Sequence, residues 1–119
     1  MKKLILPAIF LATTAFADDP EIVVATAGEF ANTWIFSVDQ THPDTGWDHY
    51  AYGWRIETQD GTVLGQRLTP HPHVHEQPIS RSLHNVRIPD DVDSVFIRSK
   101  CSVDGWGEKR FELKLERDK

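Results

Sequence analysis

An all-β domain is the fold class this sequence predicts, and three observations carry the prediction. Short runs alternating apolar and polar residues recur along the chain, as half-buried strands require. Gly, Pro, Asn and Asp interrupt them at intervals of about eight to twelve residues, the spacing of a β-sandwich. No stretch beyond residue 17 carries a helical period.

The N-terminus stands apart from that pattern. Met1-Lys2-Lys3 is basic, Leu4 to Leu11 is apolar, and Ala15-Phe16-Ala17 has the small-x-small form of a cleavage site. Residues 1–17 therefore read as a secretory signal and residues 18–119 as one mature domain, exported to the periplasm. The apolar run is too short to cross a bilayer. No cysteine stands at the cleavage point, so no lipid anchor is expected there.

The strands follow in order. Glu21 to Ala27 is the first, ended by Gly28. Thr33 to Gln40 is the second, with Trp34, Phe36 and Val38 on one face. Trp54 to Thr58 is the third, with Trp54 and Ile56 inward and Arg55 and Glu57 outward. Asp60-Gly61 is a hairpin signal, and Thr62 to Leu68 returns as the fourth. Ser82 to Ile88, Ser94 to Cys101 and Arg110 to Arg117 complete the set, the last with Phe111, Leu113 and Leu115 inward. Pro89-Asp90-Asp91 and Asp104-Gly105-Trp106-Gly107 are the turns between them. Trp54 opens the third strand, where immunoglobulin- and fibronectin-III-like sandwiches bury a tryptophan. An antiparallel sandwich of that kind, with about seven strands, is the expected architecture.

Charge and cysteine usage narrow the function classes. Eighteen Asp and Glu against thirteen Lys and Arg leave a net charge of −5, and no basic cluster appears. Nucleic acid and anionic membranes are thereby poor partners, and a monomer is expected. Cys101 is the single cysteine, so no internal disulfide forms. Its parity with Val95, Ile97 and Ser99 points it into the core as a buried thiol, with a metal thiolate or an intermolecular disulfide as alternatives.

Half of the six histidines lie in Pro70-His71-Pro72-His73-Val74-His75-Glu76. On an extended strand His71, His73 and His75 would share one face, a row of imidazoles suited to Cu(II) or Zn(II). Glu76 completes the set only if the strand ends before it, and His49 and His42 are further ligands if their loop folds alongside. Pro70 and Pro72 oppose this geometry, because polyproline II has a period of three and would splay the rings. The competing readings are a solvated edge loop and a pH-sensing or partner-binding segment.

A second constellation is aromatic: Trp47, Tyr50 and Tyr52 precede Trp54 within eight residues. Trp54 is assigned to the core. Trp47 either caps the sandwich end or stacks on a sugar, and Trp106 between two glycines is a similar case. Catalysis has little support. Ser80, Ser82 and His84 form no nucleophile-elbow context, and the parity of His84 with Val86 and Ile88 makes it a half-buried strand residue. The expectation is a non-enzymatic binding protein: a copper- or zinc-binding accessory protein, or else a protein- or glycan-interaction module without metal, using Trp47, Tyr50 and Tyr52.

Two motifs add a resemblance. Gly46-Trp47-Asp48-His49-Tyr50-Ala51-Tyr52-Gly53-Trp54 and His71-Pro72-His73-Val74-His75-Glu76-Gln77-Pro78 resemble a family of small exported bacterial proteins, and Thr26-Ala27-Gly28 and Gly105-Trp106-Gly107 extend the likeness. The resemblance implies an Ig-like sandwich and brings no activity with it. Tyr52 and His75 depart from its pattern, standing where aspartate is expected. The third imidazole of the row is then a peculiarity of this chain.

Overall fold

The computed structural model describes residues 19–117, so the signal segment read at residues 1–17 lies outside the described residues. Eight strands form, with no helix among the described residues: β1 (Glu21–Phe30), β2 (Thr33–Thr41), β3 (Ala51–Glu57), β4 (Val63–Leu68), β5 (Ile79–Val86), β6 (Ser94–Cys101), β7 (Gly105–Trp106) and β8 (Phe111–Lys114). They make two antiparallel sheets, β1-β2-β5 and β4-β3-β6-β7, with β8 also pairing β6. This is a β-sandwich, and its strand order follows the fibronectin-III pattern, with β7 and β8 dividing the last strand position between them.

Alternation builds the core. Trp34, Phe36 and Val38 of β2 meet Trp54 and Ile56 of β3, Val86 of β5, and Val95 and Ile97 of β6. Each is at most 3% exposed. Burial of such a side chain stabilises by about 1.5–3 kcal/mol, so these few residues hold the two sheets together. Trp54 is completely buried, as its strand position predicts.

Several local features depart from the sequence expectation, among them β3, which starts at Ala51 rather than Trp54, and β8, which ends at Lys114 rather than Arg117. β1 runs past Gly28 to Phe30, and its hairpin turns at Ala31 and Asn32 instead, both at positive φ (52° and 69°). Phe30 pairs with Thr33 across that two-residue loop. β5 starts at Ile79 rather than Ser82, and a register shift where β2 pairs with it leaves His84 exposed, not half-buried. Gly105–Trp106 is a short strand on β6 rather than part of a turn. The Asp60-Gly61 hairpin forms as predicted: the Asp60 side chain accepts from Thr58, from Thr62 Oγ1 at 3.0 Å and from the Thr62 amide at 3.2 Å.

Glu57 is the largest surprise of burial. Its parity is outward, beside Arg55, yet its side chain is completely buried. Arg55 Nε at 2.6 Å, Arg98 Nε at 2.8 Å and Arg110 Nη1 at 3.2 Å close over the carboxylate. Burial pushes the Glu57 carboxyl up, but the bonds from Arg98, Arg55 and Arg110 outweigh it and hold it below the usual carboxylate value.

Candidate functional site

Three sites of chain converge at one end of the sandwich. β2 ends at Thr41, and the burial alternation of Val38 and Gln40 continues one step further to His42. The connection 42–50 then folds back before β3, closed by a turn in which the Thr45 amide donates to the His49 carbonyl at 3.0 Å. Across the sheet, Cys101 ends β6 directly opposite Ala51, the first residue of β3. That register brings His49, two residues before Ala51, against the cysteine. His49 Nε2 lies 2.9 Å from Cys101 Sγ.

His42 completes the cluster. The His42 and His49 rings meet edge to face with centroids 4.8 Å apart. One ligand atom from each of His42, His49 and Cys101 lies within 4.8 Å of the other two. Among the described residues this is the one set of three His, Cys, Asp or Glu side chains with convergent ligand atoms. His42 and Cys101 are buried, and His49 is half-buried.

Asp44 orients the cluster without joining it. Its Oδ1 takes His42 Nδ1 at 2.7 Å and the Ala51 amide at 2.9 Å, and its Oδ2 accepts the His73 amide at 2.7 Å. In the neutral imidazole, a carboxylate that only accepts places the His42 proton on Nδ1 and leaves Nε2 as the free acceptor. His42 Nε2 is buried and has no hydrogen-bond partner. Leaving a buried polar atom unpaired costs about 1–3 kcal/mol. Gln40, Trp54, Arg67 and His73 also hold such atoms, and His42 Nε2 differs from them in belonging to a cluster with convergent ligand atoms. The carboxylate-imidazole pair is also how metal-ligating histidines are commonly oriented. Cys101 Sγ receives a second contact from the Val103 amide at 3.4 Å.

The predicted histidine row takes a different shape. Residues 69–78 contain no strand, so His71, His73 and His75 share no strand face, and the two prolines account for the loss of two-residue periodicity. His71 and His73 have ring centroids 5.0 Å apart and tilted by 42°. His73 turns inward, its Nε2 3.0 Å from an Arg81 guanidinium, while His75 and Glu76 are exposed. His71, His73, His75 and Glu76 do not form a convergent set. The segment still serves the site through backbone: His73 donates its amide to Asp44, and Gln77 Oε1 accepts the His42 amide at 3.1 Å. Of the residues read from sequence, the row of His71, His73, His75 and Glu76 does not converge, whereas the two further ligands of the loop, His49 and His42, meet Cys101, for which a metal thiolate is the alternative to a buried thiol.

The aromatic residues lie alongside. Trp47 is 71% exposed, so it does not cap the sandwich end. Trp47, Tyr50 and Tyr52 form an edge-to-face ladder with successive centroids 5.8 Å apart. Their rings are therefore not coplanar. Lys100 Nζ continues the ladder, 4.9 Å from the Tyr52 ring and 5.1 Å from the Trp106 ring. Ser102 Oγ accepts the Tyr50 amide at 2.9 Å, which ties the ladder to the turn after Cys101.

Comparison with known proteins finds one informative likeness. The chain is 36% identical over 81 residues, 68% of its length, to a protein of Halomicrobium mukohataei named "Putative lipoprotein". The match covers 39% of that relative, so the chain spans about two-fifths of the length of the curated protein it resembles. No family model matches the chain, and no solved structure matches it.

Proposed function

We propose that this chain is an exported, non-enzymatic binding protein that holds one copper or zinc ion between His42, His49 and Cys101. Export to the periplasm rests on the basic, apolar and small-x-small order of residues 1–17, and the lipoprotein name of the relative is in keeping with it. The observation that carries the metal reading is the His42 imidazole, whose Nδ1 is pinned by Asp44 while its buried Nε2 has no partner beside a histidine and a cysteine. Two imidazoles and one thiolate suit Cu(II) or Zn(II) and offer little to Ca(II) or Mg(II), which take oxygen ligands. Complete burial of Cys101 supports a ligand role over that of a nucleophile, since no substrate reaches it.

In the metal-free site His49 Nε2 and Cys101 Sγ make a hydrogen-bond contact of 2.9 Å. Bonds of about 2.05 Å to nitrogen and 2.3 Å to sulfur at a tetrahedral angle need roughly 3.6 Å between the two atoms. To hold one ion, the 2.9 Å contact would have to open by roughly 0.7 Å. A metal here would need neutral imidazoles and a thiolate, so affinity would fall as the solution is acidified.

Calorimetric titration with Zn(II) and Cu(II) at pH 7 tests the assignment. Stoichiometric binding of micromolar affinity or better is expected for the native chain and for the His71→Ala/His75→Ala variant, and loss of it for Cys101→Ser and His49→Ala. A flat native titration overturns the metal reading. Binding that survives Cys101→Ser but disappears in His71→Ala/His75→Ala would return the site to the histidine segment.

A further inference from the structure

The outward face of the five-stranded sheet is basic in a chain whose net charge is −5. Three guanidiniums, from Arg55, Arg98 and Arg110, share the single buried carboxylate of Glu57. Because hydrogen bonds hold Glu57 ionised, two positive charges remain in excess there. Lys100 adds a third, and among the described residues it has no carboxylate partner within salt-bridge distance. On β8 the outward Glu112 and Lys114 offset each other, so the face keeps an excess of positive charge against the balance of the whole molecule.

Aromatic rings hold these cations flat. The Arg55 guanidinium lies 4.1 Å from the Trp106 ring centroid, with Lys100 also on that ring, and Arg110 lies 4.2 Å from the Phe96 centroid. Arg55 gives Nε to Glu57, and its terminal nitrogens have no hydrogen-bond partner among the described residues. A stacked guanidinium whose fork is free is set to receive a carboxylate bidentately. The same stacking argues against sugars, which need open ring faces, since Trp106 is already occupied by two cations.

We propose that this face docks an acidic segment of a partner polypeptide in extended conformation. Spacing favours a polypeptide. The Arg98 nitrogens are taken by Glu57 and by the Gly107 and Glu108 carbonyls, so the receiving groups are the Arg55 fork and Lys100, which stand on neighbouring strands offset by two residues, roughly 6.5–7 Å along the sheet. Acidic side chains at every second position of an extended chain have that same repeat. The proposal does not depend on the metal site.

The test is fluorescence anisotropy with a labelled synthetic peptide alternating glutamate with threonine, set against the same peptide carrying glutamine. The native chain is expected to bind the glutamate peptide and not the glutamine one, and to lose affinity steeply as salt is raised. Lys100→Glu, which leaves the Glu57 cluster intact, should weaken binding by about tenfold or more, while Lys100→Arg stays within about threefold. If Lys100→Glu fails to fold, Lys100→Gln serves in its place with the same direction expected. No binding of the glutamate peptide, equal binding of the glutamine peptide, or indifference to Lys100→Glu overturns the proposal. Binding of a sulfated polysaccharide without binding of the peptide assigns the face to glycans and overturns it equally.

Discussion

Removing the Glu57 charge should be among the most damaging conservative substitutions in the chain. Glu57→Gln keeps the shape of the side chain and leaves three guanidiniums, each only 22–23% exposed, facing one another without a carboxylate. Four contacts of 2.6 to 3.2 Å converge on Glu57. Charged hydrogen bonds contribute about 1.5–3 kcal/mol each, but their sum overstates the loss, because the arginines regain water as they swing outward. Breaking a buried ion pair from one side costs about 3–5 kcal/mol, and the amide oxygen of glutamine retains one acceptor, so a loss of about 3 kcal/mol is expected. In a domain of about a hundred residues this lowers Tm by roughly 12 °C or more. The native chain and the variant would be compared by urea unfolding across pH. The Glu57 carboxyl titrates lower in the folded state than in the unfolded chain. Its stabilisation is therefore fully present above the unfolded value of about 4.3 and is lost as pH falls through the folded value. The gap between native and variant should be widest at neutral pH and close on acidification. A gap under about 1 kcal/mol at pH 7 would refute the reasoning, since that is the range of a solvated surface pair.

Two backbone predictions follow from strained positions. Ala31 and Asn32 fill a two-residue hairpin loop in which both residues have positive φ, a turn that favours Asn-Gly. Ala31→Asn with Asn32→Gly should raise stability by about 1 kcal/mol in denaturant unfolding, and a loss would mean that the turn has another geometry. Gly53 has φ 148° and lies against β4, where an added Cβ would stand 2.5 Å from the Arg67 carbonyl and 3.0 Å from the Leu68 Cα. Both obstacles are backbone, so Gly53→Ala should cost at least about 2 kcal/mol by the same assay, and a neutral result would contradict the close approach of β3 to β4.

The sandwich was legible because its signal is local. β2 and β6 announce themselves through Trp34, Phe36 and Val38 and through Val95 and Ile97, each alternating with polar or half-exposed neighbours, and β6 has the bounds its pattern predicts. β1 outruns its sequence pattern because Ala31-Asn32 is an unusual sequence for its turn, whereas Gly28 imposes nothing: it has ordinary φ, and a Cβ there would meet open space. His84 departs from its parity because a bulge shifts register, which period-two counting cannot anticipate. Glu57 has outward parity as read, but sequence spacing does not reveal arginines arriving from positions 98 and 110 to bury it.

The candidate site was legible only in its parts. A repeat such as His71-Pro72-His73-Val74-His75 is conspicuous because its members are neighbours in sequence, yet prolines deny it the strand that would align them. The observed cluster joins residues 52 positions apart, through the pairing of Ala51 with Cys101. Its signals were present separately: the inward parity of Cys101, and two histidines in the connection leading to β3. Register between β3 and β6 unites them, and register is a tertiary property.

Cobalt(II) titration of the protein, followed by absorption spectroscopy, tests the metal assignment most directly, because only a thiolate ligand gives an intense sulfur-to-metal charge-transfer band. Such a band should grow to one equivalent in the native chain, recede as Zn(II) displaces the cobalt, and be missing in Cys101→Ser. No band in the native chain, or an identical spectrum in Cys101→Ser, would contradict a site built on His42, His49 and Cys101.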